Sequence, residues 1–291
     1  MTQPEVLAVF GPTASGKTAV AEALADRLGT GVVSADAMQV YRGLPILTNQ
    51  PARATRLVAV CGLDEEMSVA SYTVLAHREV DALVAECGVA VVSGGTGLYL
   101  RAALADLDVP PAVAPEARAR IAAEVDADRN AAHGRLEDLD PGAATAVHPH
   151  DRKRLIRALE LAETGTSLVV GQDRLWSTET RRPTAVLGLQ VDAAVLDQRI
   201  RARTVEMFTR GVVDEVRSAL RAGVSPTAAK TLGLDEIARL GPDALESIVA
   251  RTRRYAAYQR KWMRRIPGVV LVDGNRPPDV VADEILARTD G

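Results

Sequence analysis

An α/β fold, with a parallel sheet flanked by helices and a small all-helical insertion, is predicted by three observations. Five short, continuously apolar runs alternate with helical patterns, as expected of parallel strands covered on both faces. The first run leads directly into GPTASGKT, a glycine-bounded loop that opens a helix. From about Pro110 to Pro149 the strand signal disappears, and the charged helical stretch APEARARIAAEVDADRNAAHGRLEDL takes its place.

Strands are expected at Val6–Phe10, Gly31–Ser34, Val89–Ser93, Ala185–Val191 and Val269–Val272. Helices are expected at 17–28, 74–86, 98–105, 196–210 and 212–221. Between the first strand and the first helix, Gly11-Pro12-Thr13-Ala14-Ser15-Gly16-Lys17-Thr18 has the complete spacing of a phosphate-binding loop. Its glycines let successive N–H groups point inward, Lys17 reaches a terminal phosphate, and Thr18 offers a hydroxyl to Mg²⁺. The helix that follows adds its N-terminal dipole to the same anion. These features predict a P-loop NTPase-like core at 1–110 and 148–291, with the insertion at 111–147 bounded by Pro110, Pro111, Pro141 and Pro149.

Ligands of such sheets bind at the carboxyl ends of the strands. That rule singles out Asp36 in SADAMQVY, which can serve as metal ligand or general base. It also singles out SGGTGLYL, residues 93–100, whose glycines permit close approach of main chain and whose Thr96 offers a hydroxyl. The lesser alternative is a tight strand-to-helix turn that holds nothing. Asp192 and Asp273 follow later apolar runs without an accompanying motif and read as strand-end residues.

The chain has 291 residues, 47% hydrophobic and 25% charged, with a net charge of −3. No apolar run approaches the roughly 18 residues of a membrane span, and no signal-peptide pattern opens it. Cys61 and Cys87 have no paired spacing, which predicts packing roles in a reducing cytoplasm and no metal cluster. Charge is unevenly placed. RTRRYAAYQRKWMRR, residues 251–265, carries seven basic residues and no acid, and DRKRLIRALE adds Arg152, Lys153, Arg154 and Arg157. Such stripes suit either a solvated helix face or a polyanion. Tyr255, Tyr258 and Trp262 share one helical face, expected to pack on the core, and Arg253, Arg260, Lys261 and Arg264 lie on another, free for phosphates.

These motifs, in this order, resemble bacterial tRNA dimethylallyltransferases along essentially the whole chain. GPTASGKT, SADAMQVYRGL, GGTGLYL, HPHDRKRLIRALE with ETGTS, MFTRGVVDEV and RRYAAYQRKWMR carry the resemblance. It implies transfer of a dimethylallyl group from dimethylallyl diphosphate to the exocyclic amine of the adenosine 3′ of the anticodon. Gly16, Lys17 and Thr18 with Mg²⁺ would then hold the leaving diphosphate, and Asp36 would take the amine's proton. Thr96 would place the flipped-out adenosine. Asp36-Ala37-Met38-Gln39, Thr96, Arg118 of the insertion, Lys153-Arg154-Leu155-Ile156-Arg157, Arg253 and Arg260 would meet the tRNA anticodon stem-loop. The resemblance further implies a cytoplasmic monomer with no membrane contact.

Several positions depart from the family's pattern. Leu47-Thr48-Asn49-Gln50-Pro51 stands for Gly-Thr-x-Lys-Pro, Gly233-Leu234-Asp235 for Gly-Tyr-Lys/Arg, and Ala257-Tyr258-Gln259 for Lys-Arg-Gln. Arg53-Ala54-Thr55-Arg56 occupies the stretch where a histidine is usual. Several changes remove cations, which predicts a weaker grip on tRNA with the transfer chemistry intact. AMQVYRGLPILTNQ also resembles adenylate isopentenyltransferases, which act on free AMP, ADP or ATP. A P-loop kinase of a small metabolite would need a set of lid arginines that no motif here supplies. A non-catalytic RNA-binding relative is opposed by intact Lys17, Thr18 and Asp36.

Overall fold

The computed structural model describes residues 3–107, 113–169 and 174–289, so Pro110 and Pro111 lie outside the described residues. It divides into a unit formed by 1–106 with 175–291 and a second unit formed by 107–174.

The larger unit holds a five-stranded, all-parallel sheet: β1 (Val6–Phe10), β2 (Val32–Ser34), β3 (Ala90–Gly94), β4 (Thr184–Gln190) and β5 (Val270–Asp273). Each strand lies within one residue of its expected ends. The order is β2-β3-β1-β4-β5, with Val6 opposite Ala90 on one side and Thr184 on the other. All five residues of β1 and of β3 are buried, which is why Val6–Phe10 and Ala90–Val92 read as unbroken apolar stretches. The central strand β1 delivers Gly11 to the carboxyl edge of the sheet, between strands that diverge in sequence order, where parallel sheets bind ligands.

Helices cover both faces. They are α1 (Lys17–Leu28), α2 (Val69–Cys87), α3 (Gly97–Leu104), α8 (Ala193–Thr209), α9 (Val212–Ala222), α10 (Leu234–Leu240), α11 (Leu245–Met263) and α12 (Pro278–Thr289). The numbers between belong to the second unit. Val20, Leu24, Val281 and Ile285 from α1 and α12 share one core cluster with Leu7, Val9, Leu187 and Leu189 of the sheet. Helix α2 begins five residues before its expected start, because Ser68 caps it by accepting from the Ser71 amide at 3.0 Å. Its first turn buries Tyr72, whose hydroxyl donates to the Ser34 carbonyl at 3.0 Å. Cys61 is buried as expected, but Cys87 is exposed at the helix end and does not pack. Asp273 ends β5 and accepts from the Asn275 amide, a strand-end role.

The second unit comprises α4 (Pro115–Ala127), α5 (Arg129–Leu139), α6 (Pro141–Ala146) and α7 (Arg152–Ala162). Asp128 stops α4 and caps α5, and Asp140 does the same between α5 and α6. The sequence boundary at 147 falls short. Leu155 and Leu159 of α7 are fully buried in one cluster with Ile121, Val125 and Leu136, so α7 belongs to the inserted unit, which runs to 174. The missed signal is the strong two-sided pattern of RKRLIRALELA, which needs α4 and α5 to cover its apolar face.

Candidate active site

Everything in this site comes from the larger unit. The loop after β1 turns through a Ser15 amide bond to the Pro12 carbonyl at 3.1 Å, with positive φ at Ala14 and Gly16. Left-handed backbone there aims successive amides into one concavity, which is an anion nest at the start of α1. Ser15 is buried and its hydroxyl has no hydrogen-bond partner among the described residues, an orphaned polar atom that a phosphate oxygen would satisfy.

Beside the nest lies a cavity of about 360 Å³ lined by Lys17, Thr18, Asp36, Arg199, Arg203 and Tyr255, among others. Burial holds the Lys17 amine below the usual lysine range, Asp36 opposes that shift, and Arg203 adds to it. Arg203 is likewise lowered by burial against the pull of Asp36, and its Nε has no hydrogen-bond partner among the described residues. Buried cations clustered around a single carboxylate lower one another until an anion arrives. Met38, Leu47 and Leu232 give the same cavity an apolar wall. Glu215 of α9 fixes that wall by accepting from the Ile46 and Leu47 amides, both at 2.7 Å.

Asp36 stands just past β2, and its Oδ1 accepts from the Met38 amide at 2.9 Å, which orients the carboxylate. Gln39 is pinned, donating from Nε2 to the Asn49 carbonyl at 3.0 Å, and it lines the cavity. Thr96 connects to the cavity through Tyr255, whose hydroxyl lies 3.4 Å from Thr96 Oγ1, and it accepts from the Ala37 amide at 3.4 Å.

The glycines after β3 do a different job from the one expected. A Cβ on Gly94 would sit 2.0 Å from the Ala35 carbonyl oxygen, and one on Gly97 would sit 2.1 Å from the Trp262 ring. These positions are glycine because protein packs against them.

Arg199 and Arg203 on α8, together with Tyr255 and Gln259 on α11, are site residues that the motif reading did not single out. The arginines are four apart on α8, so one helical face presents both, and that spacing was the available signal. The face of α11 expected to pack on the core divides instead. Tyr255 lines the cavity, Trp262 packs on Gly97, and Tyr258 is 56% exposed. Arg253 is ion-paired with Asp197, and Arg260 is half-buried.

In the second unit, Lys153 and Arg154 are exposed, whereas the Leu155 and Ile156 side chains are buried in its core. Arg118 and Arg157 both clamp the buried Glu160, at 2.7 and 2.9 Å. Burial would raise the Glu160 carboxyl, but the two arginines outweigh it and hold it below the usual range.

A parallel sheet whose central strand leads through a glycine-bounded loop into a helix, beside a cation-rich cavity, defines a protein of the P-loop NTPase-like fold. A family model described as IPP transferase matches residues 39–266, and one described as isopentenyl transferase matches residues 4–60. The chain belongs to the IPP transferase family. It is 39% identical to a tRNA dimethylallyltransferase of Rhodococcus jostii (strain RHA1), over 95% of this chain and 94% of that one. It is 38% identical to one of Anaeromyxobacter dehalogenans (strain 2CP-C), covering 96% and 98%. The structure of a full-length tRNA isopentenylpyrophosphate transferase from Bacillus halodurans aligns with a TM-score of 0.69 and 27% identity, over 99% and 97% of the two chains. A eukaryotic dimethylallyltransferase acting on tRNA shares the fold, with a TM-score of 0.79 at 23% identity, over 97% of this chain and 77% of that one.

Proposed function

We propose that the protein transfers a dimethylallyl group from dimethylallyl diphosphate to the exocyclic amine of the adenosine 3′ of the anticodon in tRNA. The observation that carries this reading is the mixed lining of one cavity: Lys17 and Arg203 interact with Asp36, Arg199 adds a third cation, and Met38, Leu47 and Leu232 add apolar surface. The cations and loop amides suit a diphosphate, the apolar wall suits the five-carbon chain, and Asp36 lies where an attacking amine loses its proton.

In the reaction the amine nitrogen forms a bond to the allylic carbon as that carbon's bond to the diphosphate oxygen breaks. Loop amides, Lys17 and the two arginines stabilise the charge that grows on the departing diphosphate. Asp36, held by the Met38 amide, accepts the proton as general base. Thr96 and Tyr255 place the adenosine, which must leave its stack to react. Thr18 Oγ1 would hold Mg²⁺, which supplies further charge neutralisation at the diphosphate when bound. The donor set fits, because Mg²⁺ retains water and phosphate ligands and takes few from the protein.

Arg118, Lys153, Arg154 and Arg157 of the helical unit, with Arg253 and Arg260 of α11, are the proposed tRNA contacts. Leu155 and Ile156 contribute only main chain to that role. No helix among the described residues is long and apolar enough to cross a membrane. The proposed setting is the cytoplasm, and the proposed working form is a monomer. The family membership and the relatives' names weigh against the free-nucleotide alternative and against a small-metabolite kinase, although Arg199 and Arg203 are arginines of the kind a kinase would use.

The test is nucleoside analysis of tRNA incubated with the protein, Mg²⁺ and labelled dimethylallyl diphosphate, beside reactions given AMP, ADP or ATP. Prenylated adenosine in tRNA is expected. Faster labelling of a free nucleotide overturns the reading.

A further inference from the structure

The far half of α11 carries an aromatic cluster that the transfer chemistry does not use. Trp262 and Trp176 lie with ring centroids 4.7 Å apart, tilted by 37°. The Arg265 guanidinium sits 3.9 Å above the Trp176 ring. Trp262 Nε1 donates to the Tyr258 hydroxyl at 2.7 Å, and Trp262 is wedged against Gly97 at the start of α3. Core packing accounts for one face of Trp262 and leaves the rest of the cluster unexplained. Tyr258 is 56% exposed, and both tryptophans are only half-buried.

We propose that Tyr258, Trp262 and Trp176 form a stacking platform for an unstacked RNA base next to the one that reacts. This rests on the tRNA reading above and extends it. The phenol bond to Trp262 fixes the Tyr258 ring before any ligand arrives, so little rotamer entropy is lost when a base stacks on it. The platform is continuous with the cavity. Tyr255 lines the cavity, Tyr258 is one turn further along α11, and Trp262 is about 10 Å beyond Tyr255 by helical rise. That separation suits the neighbour of a base held in the cavity.

Charge identifies the ligand as a polyanion. Near the start of α11, Arg251 is paired with Glu236 and Arg253 with Asp197. Among the described residues, no carboxylate pairs with Arg260, Lys261, Arg264 or Arg265. Aromatic rings interleaved with cations that no carboxylate neutralises are the arrangement that holds single-stranded nucleic acid.

The chain has only two tryptophans, and both are in this cluster, so selectively excited tryptophan emission reports on the cluster. The experiment titrates the full chain with an anticodon stem-loop RNA, following tryptophan emission and, separately, anisotropy of a labelled stem-loop. Saturating RNA is expected to quench the emission, and dimethylallyl diphosphate alone is not. Tyr258→Ala should weaken stem-loop binding on the order of tenfold at every salt concentration without changing the salt slope. Tyr258→Phe, which keeps the ring, should restore most of the affinity. Charge reversal at Arg264 should instead flatten the slope. Binding seen by anisotropy without quenching, or undiminished affinity in Tyr258→Ala, overturns the platform while leaving tRNA transfer in place. A parent protein that labels no tRNA overturns the functional reading itself.

Discussion

Gln259 and Thr13, 246 residues apart in sequence, are joined by a buried hydrogen bond of 2.7 Å from the Thr13 amide to Gln259 Oε1. The same side chain donates from Nε2 to the Gly95 carbonyl at 2.8 Å. One amide therefore ties the phosphate loop to the turn after β3, and only a group with an acceptor and a donor can satisfy both. Gln259→Glu keeps the first bond and sets an oxygen against the Gly95 carbonyl. Gln259→Leu loses both bonds. Leaving a buried partner unsatisfied costs about 1–3 kcal/mol, so kcat/KM and thermal stability should fall in both variants. Unchanged donor affinity in Gln259→Leu would show that the loop holds its shape without this tie.

Lys17→Ala should lower turnover by about 10²–10³, the usual effect of removing one preorganised group from a developing charge. Burial lowers the free Lys17 amine below its ordinary value of 10.5, and a bound diphosphate favours the cation. Donor binding on the alkaline side should therefore take up protons. Calorimetry in buffers of contrasting ionisation enthalpy reads this directly, and Lys17→Ala should abolish the buffer dependence.

Asp36→Asn preserves size and the contact with the Met38 amide but removes the base. Turnover should drop by roughly 10²–10⁴ with donor affinity largely retained. Collapse of donor binding with surviving chemistry would assign Asp36 to the metal instead.

Glu160→Gln should loosen Arg118 and Arg157 together, because both are anchored on its buried carboxylate. Anticodon stem-loop binding should weaken while donor binding is unaffected. Because the folded Glu160 sits below its ordinary value of 4.5, the unfolded chain binds more protons as pH falls past that point. The stability from this triad is present above pH 4.5 and is lost as pH falls through the lowered value. Acid unfolding of the parent should carry a step that Glu160→Gln lacks.

Excising 107–174 should leave donor binding measurable and abolish tRNA modification. The Arg181 amide bonds the Leu104 carbonyl at 2.9 Å, so a short linker can rejoin the chain. Cutting at 111–147 instead would strip the cover from Leu155 and Leu159 and should give an aggregating protein.

Local information determined much of this protein. The five strands were legible because parallel strands buried on both faces read as unbroken apolar runs, and the phosphate loop because its spacing is a property of backbone geometry. Asp36 followed from its place at a strand end. The partners of these residues were not legible. Arg199, Arg203, Tyr255 and Gln259 enter the site from helices that begin about 180 residues or more after the loop, and beyond the four-residue spacing of the two arginines nothing in their own neighbourhood announces it. The glycines of GGTG read as ligand-approach positions, yet Ala35 and Trp262 are what fill the space beside them. Helix α7 carried an apolar face whose cover lay in α4 and α5, so only the folded unit could set the true end of the insertion. A contact between distant segments depends on how the sheet and helices bring them together, and a single sequence carries no local trace of that pairing.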